Sequence, residues 1–298
     1  MFAALGRLDP PRRSWRILAV DNASTDDTPQ LLATAAQTLP LTPLSCPIPG
    51  KMAALKTAAQ AVEGDLIVFT DDDVEPDAAW LRAYEDAADA ADERVGLFGG
   101  PITPTPIDEV GPWFDACRAH HPELFALSDE PDGSVDAAAH VFGPNYMIRR
   151  AHLDILDAVA PGLGPTFVKN KAASFAMGED TQMMELLATR GVEAAYVRAA
   201  RVRHLVRAFQ TDLDVMLERA ERHGRGAAIR LAEEKERSLW RRVRIVLDHA
   251  VRAMTAPRAP AGAAPAADLF ETMWRARWSR GMVKGAVLGP FPPPPREG

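Results

Sequence analysis

The sequence has few cysteines and no long apolar run, and each absence excludes a class of protein. Its 298 residues include only Cys46 and Cys117, too few for a disulfide framework and not at a metal-binding spacing, which is typical of the reducing cytosol. No run of about 18 apolar residues occurs, so we expect no membrane span. Residues 1–10 lack the basic cluster and apolar core of a signal peptide. The sequence therefore predicts a cytoplasmic protein.

Charge is unevenly distributed along this ordinary globular composition of 47% hydrophobic and 25% charged residues. Residues 1–200 contain 15 Lys and Arg against 30 Asp and Glu, whereas residues 201–298 contain 19 against 11. The acidic body does not suit nucleic acid, so we expect no nucleic-acid partner. The basic C-terminal part could face an anionic ligand or membrane surface, or it could dock on the acidic part.

Strand-like and helix-like segments alternate through the first hundred residues. This order predicts an α/β fold with a mostly parallel central sheet and helices on both faces, which binds ligands beyond the carboxyl ends of its strands. Residues 40–49 are expected to be a proline-broken loop, and residues 101–178 irregular. The predicted strands are 15–20, 65–70, 95–100 and 192–197, and the predicted helices are 28–38, 51–62, 76–91 and 179–190.

Three carboxylates, Asp71, Asp72 and Asp73, directly follow the apolar strand predicted at 65–70. Unpaired, they would repel one another, and a divalent cation such as Mg²⁺ or Mn²⁺ resolves that repulsion with the help of diphosphate oxygens. The alternative is an Asp-rich turn that caps the next helix. The triplet alone leaves both interpretations open.

Two further positions at strand ends could bind a nucleotide. Asp21 closes the first predicted strand within VDNASTDDT, where its carboxylate can accept hydrogen bonds from a ribose or a base edge. Gly50 and Lys51 lie at the start of a helix, where backbone amides and an ammonium group favour phosphate. Each feature is also compatible with a simple turn or cap.

Glu179, Asp180 and His204 are candidates for proton transfer and metal binding. The two carboxylates lie at a helix start, which stabilises the charged form that a general base needs, although capping explains them as well. His204 follows the last predicted strand, and a neutral imidazole can be a metal ligand. A lone histidine is more often a polar surface residue.

Taken together, several motifs occur in a characteristic order: VDNASTDDT, PGK before an alanine-rich helix, GDLIVFTDDD, FGPNYMIRR, GEDTQMMELLATRG and VRHL. This set resembles the family 2 glycosyltransferases of GT-A fold over roughly residues 15–226. The resemblance implies an inverting, metal-dependent transferase that moves a sugar from a nucleoside-diphosphate sugar to a hydroxyl acceptor. It also implies a role in bacterial cell-surface polysaccharide or glycolipid synthesis.

The resemblance assigns roles to individual residues, and the chemistry explains the residue types. Displacing a diphosphate requires stabilisation of its developing charge, and the acceptor hydroxyl must lose a proton to one carboxylate. The implied donor-binding residues are Asp21, Asn22, Ser24, Lys51, Asp71 and Asp72; the acceptor turn is Gly143, Pro144 and Asn145; the Mn²⁺ or Mg²⁺ ligands are Asp73 and His204; and the catalytic base is Asp180, with Glu179 as the other candidate.

The sequence departs from the family pattern in two places. Family members begin with an apolar strand that contacts the nucleotide base, whereas residues 1–11 match only the end of the helix that follows it. We therefore expect an N-terminally truncated catalytic domain with an incomplete base pocket and an exposed sheet edge. Leu55 and Lys56 stand where the family commonly has Arg-Asn.

We expect a catalytic domain at 1–210, a helical extension at 211–254, a linker at 255–267, and a short helical segment with a proline-rich tail at 268–298. Within the extension, residues 236–254 form a basic amphipathic helix with an apolar stripe. It predicts packing on the catalytic domain or peripheral contact with an anionic membrane, to which Trp274 and Trp278 would add. The stripe comprises Leu239, Val243, Val246, Leu247, Ala250 and Met254, flanked by Arg237, Arg241, Arg244 and Arg252.

Two other functions compete with glycosyl transfer. An inactive sugar-nucleotide-binding homologue would keep the fold without turnover, but the intact Asp73 and Asp180 argue against it. A nucleotidyltransferase would carry a glycine-rich phosphate loop after its first strand, and the sequence has none there.

Overall fold

The computed structural model describes residues 1–160, 162–164, 175–233, 239–255 and 265–288. The chain forms two compact units, each built from separated stretches of sequence. The first unit comprises residues 1–105, 126–158 and 183–205, and the second comprises residues 106–125, 159–182 and 206–298.

Strands and short helices of the first unit follow the alternation expected from the sequence. The strands, with the ends of two reaching one residue into the second unit, are β1 (Ile17–Asn22), β2 (Leu41–Cys46), β3 (Leu66–Phe69), β4 (Val74–Pro76), β5 (Val95–Gly99), β6 (Ile102–Pro106), β7 (Gly133–Ser134), β8 (Tyr146–Arg149), β9 (Glu193–Tyr196) and β10 (Val202–Val206). Among the described residues up to 189, the α-helices are α1 (Phe2–Leu5), α2 (Thr28–Ala35), α3 (Lys51–Ala59), α4 (Trp80–Ala90), α5 (Phe114–His120), α6 (Ala137–His140), α7 (Ile155–Ala158) and α8 (Glu179–Thr189).

Strand pairing among the described residues is more mixed than the predicted mostly parallel sheet. A five-stranded sheet has the order β3-β8-β5-β9-β7, in which β5 and β9 are parallel and the other pairs antiparallel. A three-stranded sheet has the order β4-β10-β6. The α/β class is therefore confirmed, but β8, from a region expected to be irregular, inserts antiparallel between two predicted strands.

The segment expected to be a loop at 40–49 contains β2, so that expectation is wrong. β2 pairs in parallel with β1, and Pro43 lies opposite Ala19. Proline is tolerated here because β2 is the edge of a two-stranded sheet, where one side of the strand needs no ladder hydrogen bond.

The core of the first unit packs the five-stranded sheet against α4. Trp80 and Tyr84 from α4 are buried with Phe98 and Met147 from neighbouring strands. Phe69 and Tyr146, opposite each other on β3 and β8, stack with ring centroids 4.6 Å apart. These aromatic contacts fix α4 and β8 behind the end of β3, which leads directly into the aspartate triplet.

The second unit is mainly helical. Its long helices, α9 (Leu213–Glu233), α10 (Leu239–Met254) and α11 (Ala267–Leu288), accompany α5. Phe114 and Phe125 form its core with Met216 of α9 and with Phe270 and Trp274 of α11. Trp274 is only 5% exposed, so the expectation that it adds to a membrane contact is wrong.

These units do not follow the linear domain boundaries expected from the sequence, since residues 106–125 and 159–182 group with the C-terminal helices. Most of the predicted linker and the proline-rich tail lie outside the described residues, as does Arg237. Helix α11 is 22 residues long, and thus longer than the expected short segment. In the described part of the chain, each helix is too short or too polar to traverse a bilayer.

Candidate functional site

The turn after β1 brings together the first group of predicted donor-binding residues. Asp21, half-buried at the strand end, accepts a hydrogen bond from the backbone N–H of Ser24 at 3.0 Å through Oδ1. Ala23, between them, has a positive φ of 56°, which is uncommon for a residue with a Cβ. Such backbone strain persists only where the surrounding structure enforces it.

Asn22 ties this turn to the start of α3. Its Oδ1 accepts a hydrogen bond from Gly50 N–H at 2.6 Å, and its Nδ2 donates to the carbonyl of Ile48 at 2.7 Å. Gly50 has a φ of 130°, a conformation that glycine adopts without strain. The side chain that was predicted to contact the donor thus positions the loop that carries Lys51.

Lys51 connects this loop to the end of β3. Its Nζ lies 3.1 Å from Oδ1 of Asp71. The Lys51 side chain is 25% exposed and the Asp71 side chain 30% exposed. Asp72, next along the triplet, is exposed. The predicted donor-binding residues of β1, α3 and β3 therefore share one side of the first unit, where the Lys51 ammonium is paired with Asp71.

Asp73 lies beside His204, although the two are distant in sequence. Pairing of β10 with β4 sets His204 opposite Val74, and Leu205 N–H donates to the Asp73 carbonyl at 2.8 Å. The His204 Nε2 is 3.4 Å from Asp73 Oδ2, and the imidazole side chain is 9% exposed. The sequence-predicted metal ligands are therefore neighbours.

Burial raises the pKa of the Asp73 carboxyl, but hydrogen bonding and charge from His204, with a smaller contribution from Lys51, outweigh burial. The pKa of Asp73 consequently lies below its usual value, and the group is a carboxylate at neutral pH. Coordination of a cation requires this charged form.

The donor set of Asp73 and His204 fits a divalent cation with an open coordination sphere. Two neighbouring ligands of an octahedral cation bound at about 2.1 Å lie about 3 Å apart, close to the observed separation of Oδ2 and Nε2. Within the described residues, His, Cys, Asp and Glu do not form a group of three or more that could hold a metal. The remaining ligands would have to come from a bound diphosphate and water.

The predicted acceptor turn is buried, and its asparagine is a structural residue. Asn145 is 0% exposed, and its Oδ1 accepts hydrogen bonds from Trp80 Nε1 and Tyr84 Oη, each at 2.8 Å. Its Nδ2 donates to the carbonyls of Pro101 and Ala200 at 3.0 and 2.7 Å. Gly143 and Pro144 are buried as well. The Asn145 amide is fully used in these structural hydrogen bonds, and acceptor binding at this turn stays a prediction.

The two candidate bases belong to the second unit at the start of α8. Glu179 is buried, and its Oε2 accepts a hydrogen bond from Gly178 N–H at 3.3 Å. Asp180 is half-buried and accepts from the N–H of Thr181 at 2.8 Å. Asp180 is therefore the more accessible of the two carboxylates, and its assignment as the base stays a prediction.

Helix α9 holds the segment that precedes these carboxylates. Met177 N–H donates to the carbonyl of Arg222 at 3.1 Å, and the Arg222 guanidinium lies 4.3 Å from the ring centre of Phe175. A Cβ on Gly226 would lie 1.7 Å from the Met177 carbonyl oxygen, and one on Gly178 would lie 2.3 Å from Nη1 of Arg230. Only a glycine at position 226 permits this approach.

His223 is a titratable group near Asp180 that the sequence analysis did not select. Burial, with smaller contributions from Arg219 and Arg230, lowers its pKa to about 4, and Asp180 and Glu123 act in the opposite direction. The imidazole is therefore neutral at physiological pH. The helical spacing of Arg219, Arg222, His223 and Arg230 in α9 could have drawn attention to this face.

Comparison with known proteins links the first part of the chain to a family. Residues 3–106 match the model of the family described as glycosyl transferase family 2. No curated protein sequence matches the chain. The matched segment contains the turn after β1, Lys51 and the aspartate triplet, and it ends before His204 and the start of α8.

The solved structures that match the chain have low sequence identity to it. S. aureus TarS 1–349 in complex with UDP-GlcNAc is 17% identical, with a TM-score of 0.47, over 80% of this chain and 63% of that chain. A mycobacterial protein is 17% identical, with a TM-score of 0.46, over 76% and 69%. Glucosyl-3-phosphoglycerate synthase from Mycobacterium tuberculosis with phosphoglyceric acid is 17% identical, with a TM-score of 0.42, over 69% and 66%.

Proposed function

We propose that this chain, whose residues 3–106 match the model of glycosyl transferase family 2, transfers a sugar, with inversion, from a nucleoside-diphosphate sugar to a hydroxyl acceptor. The acceptor is a sugar or a lipid-linked saccharide of the bacterial cell envelope, and the reaction takes place on the cytoplasmic side. This proposal extends the family assignment to a mechanism, a substrate class and a setting.

The observation that supports the donor site is the pairing of Lys51 with Asp71 beside the strained turn after β1. A nucleoside would contact Asp21 at the carboxyl end of β1, and its diphosphate would approach the Lys51 ammonium at the start of α3. Since Asp71 already accepts one Lys51 contact at 3.1 Å, the ammonium is held in place before the donor arrives. Preorganisation of this kind lowers the cost of binding.

Asp73 and His204 would hold Mn²⁺ or Mg²⁺, which neutralises the charge that develops on the departing diphosphate. The protein residues carry out the remaining steps. Asp180 accepts the proton of the acceptor hydroxyl as that oxygen bonds to the anomeric carbon and the bond to the diphosphate breaks. One carboxylate suffices for inversion, and Glu179 is too buried to reach a substrate without rearrangement.

The metal assignment is tested by calorimetric titration of Mn²⁺ with and without UDP. We expect weak binding of Mn²⁺ alone and much tighter binding with UDP, because two protein ligands leave the coordination sphere open. Asp73→Asn and His204→Gln should each abolish the UDP-dependent gain, whereas the control Asp65→Asn, at an exposed carboxylate of the same unit, should not. Equal Mn²⁺ affinity in the wild type and Asp73→Asn would refute the assignment.

The base is tested by comparing Asp180→Asn with Glu179→Gln. We expect Asp180→Asn to lower kcat by about 10²–10⁴-fold with little change in donor affinity, because a base acts only in the transition state. Loss of turnover in Glu179→Gln alone would exchange the two roles. Donor binding without turnover in the wild type, across UDP-, GDP- and dTDP-sugars, would favour the inactive homologue.

A further inference from the structure

Helix α10 has one face packed in the second unit and another exposed. Ile245, 7% exposed, packs with Ala228 of α9 and with Met282 and Ala286 of α11. The helix is therefore already anchored by its own apolar contacts. The predicted packing of the stripe is correct for Val246, which is half-buried in this cluster, but not for its exposed members.

Four apolar residues of α10 are exposed to solvent. Val243 is 39% exposed, Leu247 70%, Val251 68% and Met254 78%. At 100° per residue, these positions fall within a sector of about 80° on one side of the helix, over a length of about 16 Å. They form a single exposed stripe, which we call the α10 stripe.

Arginines lie on both sides of the α10 stripe at different angles. The exposed Arg244 is about 20° from one edge of the stripe, whereas the exposed Arg252 and the half-buried Arg242 lie about 100° from its two edges. Asp248 is the acidic residue on this helix, and it lies 3.6 Å from Arg244 in an i,i+4 ion pair. Arginines nevertheless outnumber acidic residues on α10, and the helix shares the basic excess of residues 201–298.

From this juxtaposition we propose that α10 docks on an anionic lipid bilayer, with the α10 stripe buried at the level of the acyl-chain boundary, Arg244 among the headgroups and Arg252 adding longer-range attraction. A helix with a narrow apolar sector and flanking arginines lies in the plane of such an interface. A second copy of the chain fits the surface less well, because a two-fold contact through the stripe would bring the same arginines of both copies together.

Sedimentation with lipid vesicles tests this surface in the full chain. We expect binding to vesicles of 30% phosphatidylglycerol in phosphatidylcholine, at least tenfold weaker binding to pure phosphatidylcholine, and loss of binding in high salt. Leu247→Gln with Val251→Gln should reduce binding at least tenfold. The matched control, Leu31→Gln with Ile107→Gln, changes side chains that are 52% and 48% exposed and should bind as the wild type does.

The arginines are tested in the same assay. Arg244→Gln with Arg252→Gln should reduce binding to anionic vesicles at least tenfold, whereas the control Arg7→Gln with Arg82→Gln should have little effect. Absence of vesicle binding by the wild type, or binding that persists in the Leu247/Val251 variant, would overturn the proposal. Concentration-dependent dimerisation that only this variant abolishes would assign the stripe to a second copy instead.

This proposal stands apart from the proposed function. The vesicle assay needs no donor, and the stripe variants should keep UDP-dependent Mn²⁺ binding because they lie outside the residues assigned to that site. Vesicle binding without UDP binding would therefore support the docking surface and contradict the transferase site. UDP binding without vesicle binding would support the transferase site and contradict the docking surface.

Discussion

Asn145 is a buried polar residue that stabilises the fold because its side-chain amide forms all of its hydrogen bonds. Its amide accepts from Trp80 and Tyr84 and donates to two backbone carbonyls in a buried site. We predict that Asn145→Ala lowers the free energy of unfolding by about 3 kcal/mol, because it leaves several buried polar groups without partners. Urea denaturation measures this loss.

Tyr84→Phe is the graded comparison for that change. It removes one hydrogen bond while Asn145 Oδ1 still accepts from Trp80, so we expect a loss of about 1 kcal/mol. Equal losses in the two variants would show that the amide is not the centre of the network.

His223 should make stability depend on pH. Its folded pKa is about 4, below the ordinary 6.5, so the unfolded chain binds this proton more readily. The free energy of unfolding should therefore fall as pH drops from about 6.5 toward 4, by up to about 3 kcal/mol from this group. His223→Gln should remove that part of the decline, as measured by urea denaturation at pH 7, 5.5 and 4.5. An unchanged pH dependence in the variant would contradict the prediction.

Individual site residues were partly predictable from sequence. Lys51 was selected because it begins a helix, and Asp71 because it follows a strand. Local sequence patterns predict both boundaries. The contact of Asp73 with His204 depends on the pairing of β10 with β4, and a single sequence gives no register for strands so far apart. Asn145 was assigned from its place in a motif, and only burial distinguishes a binding amide from a structural one.

At the scale of elements, close approach of α9 to the segment before α8 depends on Gly226. A helical glycine is ordinarily improved by alanine, by about 0.5–1 kcal/mol. Here the added Cβ would lie 1.7 Å from the Met177 carbonyl oxygen. We predict that Gly226→Ala instead costs about 2–3 kcal/mol and lowers turnover, because the start of α8 must move.

Gly6→Ala is the control for this prediction. Gly6 has right-handed helical angles at the end of α1, and its added Cβ would meet no atom closer than 3.6 Å. Thermal unfolding should therefore show Gly6→Ala to be neutral or slightly stabilising. A stabilising Gly226→Ala would show that α9 and the Met177 segment are separable.

Element prediction succeeded where periodicity was strong and failed where short strands needed partners. The helices α2, α3, α4 and α8 begin within a few residues of their predicted starts. By contrast, β2 and β8 are short and contain or follow proline, so their sequences resemble loops. They become strands only because β1 and the edges of β3 and β5 supply hydrogen-bond partners.

At the scale of the molecule, the second unit draws its core from distant parts of the chain. Phe114 and Phe125 pack with Met216 and Phe270, so a fragment ending at residue 210 would expose them. We predict that residues 1–210 bind a hydrophobic dye and unfold without a cooperative transition, since each such side chain contributes about 1.5–3 kcal/mol by burial.

The chain shortened to residues 1–288 is the control for that fragment, because it keeps α9, α10 and α11. It should unfold as cooperatively as the full chain in differential scanning calorimetry. Cooperative unfolding of residues 1–210 at the same temperature would restore the linear boundary expected from sequence.

The separation of His121 from its partner Glu271 also has a consequence for synthesis of the protein. The two residues, whose side chains meet through His121 Nε2 and a Glu271 carboxylate oxygen at 2.6 Å, are 150 positions apart. At about 5–20 residues per second, a ribosome needs roughly 8–30 s to make the intervening chain. During that time the aromatic residues around α5 lack their packing partner α11. They are therefore exposed near the ribosome, where chaperones that recognise nascent apolar segments can bind them.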